Sequence, residues 1–179
     1  MTIIGFIPTT AHKTIDTLPP SPTIKFQTMS PLLPLVSIAQ LSLTTYTLYL
    51  SSLAIPKLLS YEDKAKTASK YSNIAEEQLF KTRATQAASV GSLILTLLST
   101  STILFTNTPR STTLALAGIN VVALLGVREY VGNFWKSKPK VPLPGTGDYN
   151  DAVGLTMKTR EMQVWLAAGW GLMGVFAML

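Results

Sequence analysis

Few side chains in this chain are equipped for chemistry. Among 179 residues there is no cysteine, and the one histidine is His12. That excludes a thiolate nucleophile, a disulfide framework, a cysteine or histidine metal centre and a histidine-based catalytic triad. What is left is a handful of polar groups inside or beside apolar runs: Gln40, Arg83, Asn120, Arg128, Glu129 and Arg160. Such a set offers proton transfer, charge stabilisation and hydrogen bonding. Asn120 falls near the middle of an apolar run, where an unsatisfied amide is expensive, so it is expected to point toward other helices. For Gln40 and Asn120 the simplest role is helix-to-helix hydrogen bonding, and for Arg128 it is anchoring at a membrane surface. Gly145-Thr-Gly147 lacks the later glycine and the lysine of a phosphate-cradling loop and is set aside.

These residues are positioned by two apolar runs, 84–105 and 112–131, joined by Asn107-Thr108-Pro109-Arg110. Neither run contains a charge before Arg128. About 20 residues at 1.5 Å rise cross a hydrocarbon core of roughly 30 Å. The proline link is a turn too short for anything but antiparallel neighbours. Two further spans are expected at 32–55, ending at Pro56-Lys57, and at 162–179, entered through Arg160 and Glu161. The charged, alanine-rich stretch at about 61–80 has Glu62/Lys66 and Glu77/Lys81 at i,i+4 and predicts a solvated helix outside the membrane. Small residues along the second span (Ala87, Ala88, Gly91, Ser92, Ser99) and the fourth (Ala167, Ala168, Gly169, Gly171, Gly174) predict close helix contacts. Asn133, Phe134, Trp135 and Lys136 read as an aromatic and basic belt at the membrane surface.

Composition agrees with a membrane class, at 47% hydrophobic and only 13% charged residues. The net charge of +6 does not indicate nucleic acid, because the basic residues sit between apolar spans without a clustered basic face. Residues 1–30 are proline- and threonine-rich and lack the basic n-region and apolar core of a secretory signal. They read as a disordered or targeting tail, and Met29 is an alternative start. Twelve of the fifteen Lys and Arg fall in or beside the 57–83 and 132–163 segments; only Lys13, Lys25 and Arg110 lie elsewhere. By the positive-inside rule both basic loops face the cytosol, or the matrix of a mitochondrion. The expected fold is all-α, an integral membrane antiparallel four-helix bundle over 31–179.

Several features resemble the small four-helix membrane proteins of the anthrone oxygenase-like family. They are Met29-Ser-Pro-Leu-Leu-Pro-Leu-Val-Ser-Ile-Ala-Gln40, the Ala54-Ile-Pro-Lys-Leu-Leu59 exit, the Lys81-Thr-Arg83 entry to an Ala/Ser-rich span and the final span entered through Arg160. The resemblance runs from Met29 onward. The family commonly has a Pro-Thr-Asn segment after the third span, where this chain has Arg128-Glu-Tyr-Val-Gly-Asn133. Members tied to fungal polyketide clusters oxidise an anthrone to an anthraquinone without metal or flavin. The resemblance therefore implies a cofactor-independent monooxygenase of secondary metabolism acting on an apolar polycyclic substrate; an endoplasmic-reticulum-type membrane is the favoured location, with the mitochondrial inner membrane as the alternative.

An anthrone has an acidic methylene whose carbanion reacts with oxygen directly, so the protein need only bind it, remove a proton and stabilise the enolate. Glu129 would be the base, Arg83 or Arg160 the enolate stabiliser, and Gln40 with Asn120 the partners of the substrate hydroxyls. The rival expectation is a non-catalytic accessory or assembly subunit of a larger membrane complex, with lipid and membrane proteins as partners. A transporter is disfavoured: there is no internal repeat and no acidic residue at mid-depth of a span.

Overall fold

The computed structural model describes residues 32–69, 73–136 and 147–179. Every regular element among them is a helix: α1 (Leu32–Ser69), α2 (Asn73–Phe105), α3 (Arg110–Trp135) and α4 (Gly147–Met178). The tail with His12 and Met29, and most of the proline-rich loop before α4, lie outside the described residues.

The burial pattern shows how the helices pack. On α1 the buried stripe contains Leu33, Ser37, Gln40, Thr44, Thr47, Ser51, Ala54 and Leu58, at alternating steps of four and three. On α4 it contains Ala152, Thr156, Thr159, Gln163, Leu166, Trp170, Met173 and Ala177, with the same rhythm. Thr85, Ser89, Ser92, Thr96, Ser99 and Ile103 repeat it on α2. A 3.5-residue period keeps one seam facing a neighbour when helices cross at a shallow angle with left-handed coiling. Around the ring α1 packs on α2 and α4, and α3 packs on the same two.

The polarity of this packing is inverted. Among the described residues eighteen buried side chains are polar and seventeen apolar, while Leu35, Ile38, Tyr49, Leu98, Val122 and Trp165 are exposed. In water Ser, Thr, Asn and Gln are mostly outside. Here the inward hydroxyls are satisfied largely by their own helices: Ser37 bonds Leu33 O, Thr44 bonds Gln40 O, Ser51 bonds Thr47 O and Thr156 bonds Ala152 O. Such back-bonding lets a polar residue pack as if apolar, because its donor is already used.

Three helical segments are long and apolar enough to cross a membrane: Leu32–Ser60, Phe80–Phe105 and Arg110–Trp135. The second and third extend the runs expected at 84–105 and 112–131, and residues 106–109 form the expected link. The other expectations change. Pro56 does not close the first span, because α1 continues through it to Ser69. A proline inside a helix removes one backbone bond, a loss that packed membrane helices tolerate. The stretch at 61–80 is no separate helix, since it prolongs α1 to Ser69 and opens α2 at Asn73. Glu77, just ahead of the Phe80–Phe105 segment, pairs with Lys81, which holds its carboxyl below the ordinary range. The fourth expected span, 162–179, is helical but is not among the three apolar segments. The helix ends at Met178, so eighteen helical residues there take in Glu161 as well as Gln163.

Within α4 the small residues do not form one side: Ala167 and Gly174 are buried, Ala168 and Gly171 exposed. Gly169 is the position where small size matters, because a Cβ there would run into the Gln40 amide, whereas at Gly171 it would meet nothing. Alanine in a helix is otherwise worth roughly 0.5–1 kcal/mol over glycine. Unfolding in detergent is therefore expected to show opposite signs: Gly171→Ala neutral or slightly stabilising, Gly169→Ala destabilising by about 1–3 kcal/mol as Gln40 loses its partner.

Candidate functional site

The inward amides do not meet in one pocket. Gln40, 3% exposed, donates Nε2 to Leu166 O on α4 at 2.8 Å. Asn120, fully buried, donates Nδ2 to Leu116 O at 2.8 Å and Ser99 Oγ at 3.0 Å. Its Oδ1 accepts from Thr96 Oγ1 at 3.0 Å, tying α3 to α2. Asn120 thus points inward as expected, with both ends of its amide engaged by protein.

A polar layer lies between two apolar clusters. One cluster is built on Leu93, Leu124, Leu166, Trp170 and Met173, the other on Leu58, Val131, Trp135, Ala152 and Val153. Along α4, Thr156, Thr159 and Gln163 fall between them. Gln86 Nε2 donates to Thr156 Oγ1 at 3.0 Å, and Gln163 Nε2 to Ser89 Oγ at 3.1 Å. Two glutamines therefore join α2 to α4 across the ring, whose sides are α1–α2, α2–α3, α3–α4 and α1–α4. The sequence reading missed both, although amide residues in apolar helices are a legible signal. Trp135 was also misplaced. It is 2% exposed, donates Nε1 to Thr85 Oγ1 at 3.2 Å and lies beside Phe134 and Tyr149, so it is core rather than surface belt.

Of the five residues given roles in the expected chemistry, Glu129 and Arg160 come together. Arg160 Nη2 lies 3.7 Å from Glu129 Oε1, while its Nε donates to Arg128 O at 3.1 Å. Arg128 Nη1 pairs with the same Glu129 oxygen. The Arg160 side chain is 13% exposed, against 29% for Arg128 and 54% for Glu129. Its guanidinium lies on Gly132, where any Cβ would collide with it. The Arg128 Nε–H is buried and meets no hydrogen-bond partner among the described residues. The cluster holds two guanidiniums against one carboxylate, at the α3–α4 seam.

Arg83 occupies a different place. It lines a groove of about 290 Å³ between α1 and α2, with Thr82, Gln86 and an apolar wall of Ile55, Leu58, Leu59, Ala87 and Val90. Thus Glu129 and Arg160 share one seam, Arg83 belongs to another, and Gln40 and Asn120 are engaged in the interior. Among the described residues no three His, Cys, Asp or Glu side chains gather as metal ligands. Lys57 and Asp151 pair at 2.7 Å between α1 and α4 on the partly exposed surface, where such a bridge adds little.

Comparison of the chain with protein-family models, with curated proteins and with solved structures finds no match.

The network around Asn120 makes it a structural residue first. Asn120→Leu leaves Thr96 and Ser99 without their amide partner and is expected to cost about 1–3 kcal/mol in detergent unfolding. Adding Thr96→Val should recover part of that loss, because the two substitutions share one network.

Proposed function

We propose that the chain is an integral membrane protein, an antiparallel four-helix bundle, and that it works as a non-catalytic accessory or assembly subunit of a larger membrane complex. The bundle support is the set of cross-ties: Gln40 meets Leu166 while Lys57 meets Asp151, so α1 and α4 are paired in opposite chain directions. The 106–109 link turns α3 back along α2 in the same way. For the membrane, the support is the inverted polarity together with three apolar segments. α4 crosses as the fourth span, its Gln163, Gly169 and Gly174 facing protein rather than lipid. The basic segments then lie on the cytosolic or matrix side.

One observation carries the accessory role: the polar groups that would serve a substrate are spent on the protein itself. Gln40 and Asn120 hold helices together, and Glu129 closes ion pairs with two arginines. That leaves the exterior to act, through apolar helix faces open to lipid or to a neighbouring membrane protein.

A second reading, the cofactor-independent oxygenase, draws on the α1–α2 groove. Its apolar wall and its volume of about 290 Å³ suit one polycyclic phenol, with Arg83 beside it to meet an enolate oxygen. In that version Arg83 is the stabiliser, and Glu129 and Arg160 act elsewhere as structure.

Two measurements on the same membranes separate the readings. The accessory role expects co-migration with a large complex in mild detergent, and no acceleration of oxygen uptake when a hydroxylated anthrone is added, relative to empty-vector membranes. Acceleration that survives chelators and is abolished by Arg83→Ala would establish the oxygenase and overturn the accessory role.

A further inference from the structure

We propose that Arg128 and Arg160 form a binding site for the phosphate group of an anionic phospholipid, in the leaflet at the basic end of the bundle; this rests on the membrane reading above. Depth supports it first. Arg110 and Arg128 are eighteen residues apart on α3, about 27 Å at 1.5 Å per residue, close to one hydrocarbon thickness. With Arg110 at one surface, Arg128 and the adjoining Arg160 stand at the headgroup level of the other.

Charge and hydrogen bonding supply the rest. Two guanidiniums face a single carboxylate, leaving one positive charge in excess at a half-buried seam. Arg160 is already oriented by Arg128 O and by the flat surface over Gly132, so little side-chain freedom is lost on binding. Arg128 brings a buried Nε–H that no described protein group accepts. Phosphate oxygens accept only, and a guanidinium presents a fork of donors that fits them. A basic site between helices on the cytosolic or matrix side is where anionic headgroups are held. Glu129 is then the internal competitor, occupying the arginines until a phosphate displaces it toward water, to which it is already half exposed.

This competition gives the test its sign. The full chain, purified in neutral detergent, is titrated with phosphatidylglycerol, with phosphatidylcholine of the same acyl chains, or with inorganic phosphate. Bound lipid is counted by native mass spectrometry. Phosphatidylglycerol is expected to bind at least about tenfold more tightly than phosphatidylcholine. Arg128→Gln should erase most of that preference, and Glu129→Gln should increase it by removing the competing carboxylate. A variant that merely loosens the fold would not gain affinity, so Glu129→Gln keeps the test decisive if Arg128→Gln unfolds. Equal binding of the two lipids, or a preference that neither substitution moves, would overturn the proposal. Displacement of bound lipid by equimolar inorganic phosphate would overturn the lipid and assign free phosphate instead. Alkaline carbonate extraction tells the failures apart. Release from membranes removes the membrane reading, whereas retention without lipid preference removes this site alone.

Discussion

The structure depends on a rule of dry packing: every polar group turned inward has to find its partner inside the protein. In hydrocarbon there is no hydrophobic drive to bring apolar helices together, so close packing and hydrogen bonds must do it. This chain meets most of that requirement in two ways, with Thr100 Oγ1, Thr159 Oγ1, Gln163 Oε1 and Trp170 Nε1 left buried without a partner among the described residues. Ser37, Thr44, Thr47, Ser51 and Thr156 on the inner stripes close their hydroxyls on the preceding turn, which makes them compact and silent. Asparagine and glutamine cannot do this so easily, and their amides reach across to other helices. The hydroxyls let the helices approach, and the amides set which helix faces which.

α4 shows why that division matters. It is the helix that is not among the three apolar segments, and the one with most cross-links. It accepts from Gln40 of α1 and Gln86 of α2, reaches Ser89 of α2 through Gln163, and reaches the α3 backbone through Arg160. The side chains that lower its apolarity are those that bind it to its neighbours. Gln163 and Arg160 are costly against lipid but stabilising against protein. On the membrane reading proposed above, such a helix would enter hydrocarbon only with α1 to α3 supplying its surroundings.

Much of this was legible in the sequence. Two uncharged runs around Asn107-Thr108-Pro109 lead to α2 and α3. Asn120 was read correctly as inward-facing because only one environment suits an amide at that depth. Where several environments suit a residue, the reading fell short. Trp135 next to a lysine matches a surface belt as well as a core, and only its approach to Thr85 decides the matter. Pro56 looks like a helix end because local sterics disfavour proline in a helix, yet α1 continues past it. Small residues on α2 and α4 signal close contact without saying which face makes it: Gly171 is as small as Gly169, but only Gly169 has Gln40 against it. Nor could spacing along one chain place Arg83 and Arg160 on different seams, because that depends on how the α1–α2 and α3–α4 pairs come together.

The same geometry bears on what Glu129 can do. A general base must reach both the proton it removes and a space where the substrate can sit. The Glu129 carboxylate instead meets two guanidiniums, while the apolar groove with room for a polycycle lies between α1 and α2 and has Arg83 but not Glu129 in its wall. A cation beside an apolar groove and a carboxylate on another seam do not make one catalytic constellation. They fit a protein whose charges fix its depth and its neighbours: two arginines one hydrocarbon thickness from Arg110, held in place by a glycine and a backbone carbonyl, with a carboxylate that can give way to a better anion.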